Sequence, residues 1–579
     1  MNKTILAASM LSVLSSTALA ATYQLTELPR YENGKNTFVS DVNESGDIIG
    51  AATQLFNYAI DVSYLNFDDS DLKTAYDRYV DALSDINKEA TFTLEDVKNG
   101  ISTTNADANA FMLGFLAGKS SDAEYQKLND RIGLTITANS ADELVIFDTQ
   151  ATYADSLTRS VTNFPTAITN DGVIVAWGSA PYRPEVFKKE GEDDKTVFVR
   201  DWSSRGIVIS PSGKKVTLEP EIDTYGGSSL VTDIVQLDSG NYIAVGSSSI
   251  SIPENSQERY NEQCDGIDEL VQVCSWDLQR GSFYNTEAYQ WELDNNLNVV
   301  STAKLGLGLV RKEDEKSAFS SLALATNKNG ISVGYSVVRN TDDDRLYSYE
   351  QAGYFKDGQF IRIHPHENYI QGGKAIDINN NNIVIGNYYE QGRSIGGGVI
   401  VRKKVGFYYD INSDTYEEIP AFFNGSKATL RDINDKGQII GQGEVEKNTS
   451  VPKYEAFLYE IGSDKVTNIN DFLPCRAEDG TAFPYTIAEA TKITESGHIY
   501  ANATKTVERR DSLGQVMKDS EGNIEKETVA VPVLLTPIAG GTIEECTPPE
   551  AEQYERQSAS FGFLSIFALP LLWLRRRKA

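Results

Sequence analysis

Histidine and cysteine are scarce in this chain: its 579 residues include three histidines and four cysteines. No two cysteines have the Cys-x-x-Cys spacing of a zinc site, so the sequence argues against a histidine–cysteine metal centre. The nucleophile motif G-x-S-x-G, the zinc motif H-E-x-x-H and the glycine motifs that bind phosphates or dinucleotides are also absent. The composition and the motifs therefore do not indicate any particular reaction.

Positive charge is scarce as well. The chain has 53 lysines and arginines against 83 aspartates and glutamates, a net charge of −30. A surface of this sign repels nucleic acid and anionic membranes. We therefore expect no nucleic-acid partner, and we interpret the charge as a solvated surface that keeps an exported protein soluble.

What the sequence does contain is a repeated phrase. Residues 428–441 read ATLRDINDKGQIIG, which is typical of two short strands joined by a polar turn. The shared form is an apolar residue, Asn or Thr, two polar residues, Gly, then x-Ile-x-Gly or Ala. In one copy Asn382 replaces the glycine, and asparagine also tolerates positive φ. Six further copies lie at residues 38–50, 165–176, 230–246, 322–334, 373–386 and 487–501.

The strands that follow each copy indicate the fold class. An aromatic-rich strand comes next, as at residues 405–409 and 455–460, and we assign residues 143–148 and 196–201 to this role in the first two units. About four strands in each of seven units predict an all-β, seven-bladed β-propeller. Residues 22–28 supply the strand missing from the last unit and close the ring. An open β-solenoid and a six- or eight-bladed ring are the alternatives.

Three insertions interrupt the repeats. Residues 58–140 carry apolar residues at helical spacing and predict a small helical insertion on one face, with a second amphipathic helix at residues 123–132. Residues 250–283 form a polar loop, our second candidate binding site. Residues 504–527 predict an exposed hairpin extension.

Both ends of the chain resemble targeting segments. Residues 1–20 form a signal peptide with the A-x-A cleavage motif Ala18-Leu19-Ala20 before Ala21. After the propeller (21–546), a linker (547–557) leads to a tail (558–579). This tail comprises Ser558-Ala559-Ser560, a short apolar helix and the basic cluster Arg575, Arg576 and Arg577.

Four cysteines in an exported chain predict two disulfides. Of the three possible connectivities we favour Cys264–Cys274, which closes the 250–283 insertion. The second pair is then Cys475–Cys546, which ties the end of the propeller to the sixth unit.

Calcium is the only cofactor that the turns suggest. Residues 41–47 present oxygen-bearing side chains at alternate positions and a glycine at the sixth, as a calcium loop does. No carboxylate follows at the twelfth position, and the alternative is that Asn and Asp cap the turn through their own backbone. The candidate ligands are Asp41, Asn43, Ser45, Asp377, Asn379, Asp432 and Asn434.

The phrase N-x-x-G-x-I-x-G, as at residues 432–441, together with the strand at residues 456–459, resembles the HAF-type repeats of exported bacterial proteins. The whole chain resembles an uncharacterised family of such proteins from Gram-negative bacteria. Its tail is similar to the GlyGly type of sorting tail, although Ser558-Ala559-Ser560 stands where that type has Gly-Gly. The resemblance implies export machinery and a sorting protease as partners. It also implies transient anchoring in the inner membrane by the C-terminal helix, and it brings no established activity.

We therefore predict an exported propeller at the cell surface, in the envelope or in the medium. Our first hypothesis is a non-catalytic module that binds an unknown protein or glycan. The alternative is a secreted polysaccharide-active enzyme with carboxylates at the propeller channel.

Overall fold

A computed structural model gives the arrangement of most of the chain. The structure describes residues 21–188, 194–266, 270–279, 282–312, 315–339, 350–363, 370–390, 403–447, 451–477 and 479–544. The predicted cleavage residues Ala18 and Ala20, the cysteine Cys546, the linker, and the C-terminal helix and sorting tail lie outside these residues.

Seven four-stranded antiparallel sheets make up the described chain, and we call them blades 1–7. The first strand of the described chain is β1 (Tyr23–Glu27). Blades 1–3 follow it, and blade 2 also carries the hairpin β8–β9. Their strands are β2 (Gly34–Val42), β3 (Ile48–Leu55), β4 (Arg131–Ile136), β5 (Ala141–Glu143); β6 (Asn163–Ile168), β7 (Ile174–Gly178), β8 (Arg183–Phe187), β9 (Lys195–Val199), β10 (Arg205–Ile209), β11 (Lys215–Leu218); β12 (Ser229–Gln236), β13 (Tyr242–Ser251), β14 (Asn285–Leu293) and β15 (Val299–Gly306).

Blades 4–7 repeat the same order, with β1 as the fourth strand of blade 7. Their strands are β16 (Ser321–Thr326), β17 (Ser332–Ser336), β18 (Gln351–Lys356), β19 (Gln359–Arg362); β20 (Ile370–Ile378), β21 (Ile383–Glu390), β22 (Lys403–Asp410), β23 (Thr415–Glu418); β24 (Ala428–Ile433), β25 (Gln438–Glu444), β26 (Tyr454–Glu460), β27 (Thr467–Asn468); β28 (Tyr485–Ile493), β29 (Ile499–Glu508) and β30 (Lys526–Pro537).

The N-terminal strand closes the ring, as predicted. Blade 7 has the order β1–β30–β29–β28, and β1 pairs antiparallel with β30 from Tyr23 opposite Pro537 to Glu27 opposite Val533. On its inner side, β28 contacts β2 of blade 1. The seven-bladed β-propeller is therefore confirmed, and the outer edge of the last sheet is covered by β1.

The hydrophobic core lies between neighbouring blades. Each main cluster combines residues of two adjacent sheets, for example Ile440 and Leu458 of blade 6 with Ile487 and Ile499 of blade 7. The sheets are apolar on both faces because each is covered by a neighbour on either side. This packing explains why the β3-type strands read as continuous runs such as Ile-Ile-Gly-Ala.

The turn of the repeated phrase joins the first and second strand of each blade. Gly437 of the reference copy has φ of 77°, and Asn382, which replaces glycine in blade 5, has φ of 64°. Both lie in the left-handed region that the turn requires, so the predicted reason for this Gly/Asn position is confirmed.

The strands alternate in direction, so the turns of the phrase lie on one face of the ring and the connections after each second strand lie on the other. The described insertions of blades 1, 2, 3 and 7 all follow the second strand. They therefore share one face, which we call the insertion face.

The blade 1 insertion is helical, as predicted. It contains α1 (Ser70–Ser84), α2 (Leu94–Lys98) and α3 (Ala106–Gly118), which begin after the capping residues Asp69, Thr93 and Asn105. Short 3-10 helices lie at Val62–Tyr64 and Ile101–Thr103. The second amphipathic helix predicted at residues 123–132 is wrong, because β4 begins at Arg131 and no helix precedes it after α3.

Two predicted strands are assigned differently by the structure. The third strand of blade 1 is β4, whereas residues 144–148 form a connection whose Leu144, Ile146 and Phe147 pack between blades 1 and 2. The third strand of blade 2 is β10, whereas residues 196–201 overlap β9 of the extra hairpin. In both cases the alternating apolar residues are buried, but not within the blade.

The blade 3 insertion holds two helices, α4 (Glu254–Gln263) and α5 (Val271–Gln279). The disulfide Cys264–Cys274 joins them and is confirmed. Further 3-10 helices lie at Thr224–Gly226 and Ile469–Phe472. Among the described residues, none of the helices combines the length and apolar character needed to cross a bilayer.

Candidate functional site

The first strand of each blade lines the ring axis, and each carries a β-bulge near its end. The register of the first strand pair shifts at the same place in all seven blades, for example between Val39 and Asp41 in blade 1. A bulge re-aims the side chain that follows it. In ring order, the residues at this position are Asp41, Ala167, Asp233, Ala325, Asp377, Asp432 and Lys492. We call the four aspartates and Lys492 the axial cluster.

Each axial aspartate accepts a backbone hydrogen bond from the next blade. The amide of Ile168 donates to Asp41 Oδ2 at 2.9 Å, and that of Thr326 donates to Asp233 Oδ2 at 2.8 Å. Asp377 in blade 5 accepts from the amide of Ile433 in blade 6 at 3.1 Å. Asp432 in blade 6 accepts from the amide of Ile493 in blade 7 at 2.8 Å. These four side chains thus connect neighbouring sheets through hydrogen bonds.

Lys492 supplies the positive charge of the axial cluster. Its Nζ lies 2.9 Å from Asp432 Oδ1 and 3.5 Å from Asp41 Oδ1, with 32% of the lysine side chain exposed. Burial lowers the pKa of Lys492, but the carboxylates of Asp432, Asp41 and Asp377 outweigh it and raise that pKa well above its usual value. The lysine therefore stays charged at every physiological pH.

Four carboxylates around one lysine cannot all ionise freely. Burial, with the opposing effect of the Thr326 hydrogen bond, raises the pKa of Asp233 to about 6. Burial and the neighbouring Asp432 carboxylate raise the pKa of Asp377 to about 8. Burial also raises the pKa of Asp41. A proton held near neutral pH is what a general acid needs, although these oxygens are also engaged in bonds between blades.

The turn asparagines form a second set of connections. Asn379 Oδ1 accepts from the amides of Asn381 and Ile383 within its own turn, and its Nδ2 donates to the carbonyl of Asn434 in the next blade at 3.1 Å. Asn43, Asn327 and Asn434 repeat this pattern. The asparagine of the repeated phrase therefore holds both a turn and a blade boundary.

The residue after the turn asparagine extends this pattern around the ring. Its amide donates to the matching side chain of the next blade, as from Asp435 to Glu495 Oε1 at 2.7 Å. The amide of Glu495 in turn donates to Glu44 Oε1 of blade 1 at 3.0 Å. The side chains of this face are thus largely committed to holding the ring together.

The candidate calcium ligands lie within these two sets. Asp41, Asp377 and Asp432 belong to the axial cluster, Asn43, Asn379 and Asn434 to the turn asparagines, and the amide of Ser45 donates to Asn43 Oδ1. The described residues include no group of three or more His, Cys, Asp or Glu side chains placed to hold a metal. Calcium binding at these turns stays a prediction.

The insertion face is built differently, since its insertions contact one another. The amide of Asn57 and the hydroxyl of Ser512 connect the blade 1 insertion with the blade 7 hairpin. The amide of Phe198 in β9 donates to the carbonyl of Ala123 at 2.7 Å, and Val273 of α5 packs on Val197 and Val199 of β9. Elements from blades 7, 1, 2 and 3 therefore form one continuous cap.

A cleft of about 200 Å³ opens in this cap between blades 2 and 3. Three segments line it: the residues after β9, the connection between β11 and β12, and α5. Its lining residues are Arg200, Asp201, Trp202, Tyr225, Gly226, Val271, Gln272, Ser275, Trp276 and Gln279.

The sequence prediction found part of these features. It named three of the four axial aspartates, as calcium ligands, and it named the 250–283 insertion as a candidate binding site. It missed Asp233, because two extra residues separate this aspartate from its turn, and Lys492, because a lysine stands at an aspartate position. Aligning the copies on the residues before the turn would have found both.

One of the two predicted disulfides lies wholly within the described residues. Cys264–Cys274 is present, with 5.6 Å between the two Cα atoms. Among the described residues none of the cysteines is free, and the predicted partner of Cys475 lies outside them.

Comparison with known protein families identifies the family of this chain. The chain belongs to the DUF3466 family. This family is described as "Protein of unknown function" and matches residues 2–577, nearly the whole chain. No curated protein matches it. The DUF3466 match does not test the HAF-type repeats or the sorting tail, which stay predictions.

Several solved structures show a weak likeness to this DUF3466 protein. One is a polysaccharide lyase of family PL25, an ulvan lyase, with 9% identity, 70% of this chain and 90% of that chain covered, and a TM-score of 0.35. Another is an apocarotenoid oxygenase of Synechocystis, with 10% identity, coverage of 67% and 90%, and a TM-score of 0.28. At these TM-scores the likenesses carry no argument about activity.

Proposed function

We propose that this protein is an exported propeller that binds a ligand on its insertion face without transforming it. One observation carries the proposal: the side chains of the channel and of the opposite face hold the blades together, whereas the insertions gather on one face. Long insertions on a rigid ring are a common place for recognition. The cleft of that face is the concave feature expected of a binding site.

Export is part of the proposal. The signal-like segment before Ala21, the disulfide Cys264–Cys274 and the strongly acidic composition are typical of a protein that works outside the cytoplasm. Fractionation of the producing cells, with mass spectrometry of the purified product, tests it. We expect a chain that begins at Ala21, lacks the residues after about Ser560, and resides at the surface or in the medium. A product that keeps Arg575–Arg577 in the inner membrane contradicts the sorting proposal.

A polysaccharide-active enzyme is the second candidate, and one observation favours it. Asp377 lies beside Asp432 at the channel, and its pKa of about 8 would let it act as a general acid. Against this candidate, Asp377 accepts the amides of Ile378 and Ile433, and Asp432 is paired with Lys492. Carboxylates engaged in this way are poorly placed to act on a substrate.

One experiment separates the two candidates. The fluorescently labelled mature protein is incubated with washed producing cells, their culture polymers and a set of soluble polysaccharides. Retention and the appearance of new reducing or unsaturated sugar ends are measured together. We expect retention without new ends. New ends that disappear in Asp377→Asn would establish the enzyme, and no retention on any of these would contradict the binding module.

A further inference from the structure

We propose that the cleft between blades 2 and 3 binds a neutral saccharide unit through Trp276, Trp202 and the side-chain amide of Gln272. This inference rests on the proposed binding function and names its ligand class. It is carried by how the cleft is built, by the chemistry of its lining and by its size.

The α5 wall presents one side of a helix to the cleft. Gln272, Ser275, Trp276 and Gln279 follow the spacing of a single helical face, and all of them line the cleft. Cys274 is bonded to Cys264 at the end of α4, so a covalent link holds this wall. Because the wall is fixed before a ligand arrives, little ordering entropy is lost on binding.

The floor is held in an unfavourable backbone conformation. Tyr225 has φ of 56°, in the left-handed region that a bulky residue rarely adopts. Its ring stacks on Tyr260 with 3.9 Å between centroids, and its carbonyl accepts from Gln279 and from the Tyr284 hydroxyl. Strain that is maintained by several contacts is typical of binding sites rather than of plain connections.

The lining combines aromatic rings with amide and hydroxyl groups. Trp202, Tyr225 and Trp276 are aromatic, and Gln272 supplies a side-chain amide, because the amide of Gln279 donates to the Tyr225 carbonyl and the hydroxyl of Ser275 to the Val271 carbonyl. A sugar ring needs both, because its C–H faces are apolar and its edge carries hydroxyl groups. Arg200 and Asp201 give the lining no net formal charge, and Asp201 also pairs with Arg183 at 2.9 Å.

Other ligand classes fit less well. A bound peptide strand needs an open sheet edge, and a bound peptide helix needs an apolar groove. The cleft is lined by a helix and two connections, and Val271 is its single aliphatic side chain. An acidic ligand would meet a protein of net charge −30 with one arginine in the lining.

The size fits a single unit of a longer chain. The cleft measures about 200 Å³, below the roughly 300–1,000 Å³ of sites that enclose a drug-sized ligand. It therefore suits one sugar residue, with the rest of the polymer running across the insertion face. Binding of this kind gains from repetition along the polymer.

Affinity electrophoresis tests the inference with the mature full chain. The gels contain dextran, mannan or laminarin as neutral probes and alginate as an anionic probe, and a gelatin digest is the peptide competitor. We expect retardation by at least one neutral polysaccharide, weakened roughly tenfold or more by Trp276→Ala. We also expect quenching of tryptophan fluorescence by the same polysaccharide.

Two glutamine variants form a matched pair. Gln272→Ala changes the lining, whereas Gln263→Ala changes an exposed glutamine at the end of α4 in the same disulfide-closed insertion. We expect weaker retardation in the first and unchanged retardation in the second, with equal melting temperatures. This pair decides the test even if Trp276→Ala does not fold.

The results that overturn the inference are specific. They are no retardation by any neutral polysaccharide, retardation by alginate alone, displacement by the gelatin digest, or equal retardation of both glutamine variants. If retardation persists in the cleft variants, the saccharide binds elsewhere and the proposed binding function survives. If the polysaccharide is cleaved, the proposed function itself fails.

Discussion

Lys492 in blade 7 lies 3.5 Å from Asp41 in blade 1, measured from Nζ to Oδ1, across the boundary where the ring closes. The same amine lies 2.9 Å from Oδ1 of Asp432, so one cation links blades 6, 7 and 1. Asp432 has 6% of its side chain exposed, and a carboxylate this buried depends on its partner. The axial cluster is therefore the part of the ring most sensitive to the loss of one charge.

Replacing Lys492 with methionine should destabilise the propeller. The change keeps the length of the side chain but leaves Asp41 and Asp432 without their counter-charge, at a cost of about 2 to 4 kcal/mol in the free energy of unfolding. Urea unfolding followed by circular dichroism measures it. Lys465→Met, at an exposed position of blade 6, is the matched control. Equal unfolding midpoints for the two variants would show that the cluster is not a stabilising feature.

Replacing Asn379 with alanine should weaken the boundary between blades 5 and 6. The variant loses two acceptor bonds in its own turn and the donor bond to the carbonyl of Asn434, about 1 to 3 kcal/mol of stability. Asn139→Ala, at an exposed turn position, should lower the stability far less. Thermal unfolding compares them, and a loss of calcium affinity without a loss of stability in Asn379→Ala would favour the calcium hypothesis instead.

Asp377 should make stability fall with rising pH. Its pKa is about 8 in the fold against about 3.9 in the unfolded chain, so between those values the folded state binds the extra proton. This group therefore contributes a loss of stability as pH rises from about 4 to 8, at most about 1.4 kcal/mol per pH unit. Asp377→Asn removes that contribution.

The stability of Asp377→Asn relative to that of the wild type should therefore rise as the pH increases. Melting temperatures of both proteins at about pH 5, 6, 7 and 8 measure this difference. Asp464→Asn, at an exposed position, is the control and should show a flat difference. A difference between Asp377→Asn and the wild type that stays flat with rising pH, like that of the control, would show that the Asp377 carboxylate is ionised throughout.

Removing the disulfide should loosen the cap and spare the ring. In the double variant Cys264→Ser, Cys274→Ser, helices α4 and α5 lose their covalent link, but no strand of a blade does. Hydrogen exchange should therefore rise in residues 254–279 and stay unchanged in β24–β26. Faster exchange throughout the blades would show that this insertion supports the whole propeller.

The blades were predictable from the sequence because the turn that joins each first strand to the second leaves a fixed pattern. Asn434 and Gly437 stand where geometry demands a side-chain cap and a left-handed residue. Asn382 shows the limit of this reasoning. Its positive φ was expected, but its Oδ1 also accepts from Asn327 and Asn329 of blade 4. The pattern within one copy of the phrase does not predict a hydrogen bond between two copies.

The third strands of blades 1 and 2 were harder to place for a related reason. Alternating apolar residues indicate that one face of a strand is buried, but they do not indicate which element that face packs against. Val197 and Val199 alternate correctly, yet they pack on Val273 of α5 in the cap. The sequence indicated only the α5 side of the cleft, because Trp202, Tyr225 and Trp276 come from three separate segments that only the fold brings together.

The most direct test of this account is a comparison of Asp377→Asn and Trp276→Ala in two assays, polysaccharide retardation and thermal unfolding at pH 7. If the axial cluster holds the ring and the insertion face binds, Asp377→Asn shifts the melting temperature and keeps the retardation, whereas Trp276→Ala still unfolds in a cooperative transition and loses the retardation. Loss of retardation in Asp377→Asn with an unchanged melting temperature would place the function in the channel and contradict the account.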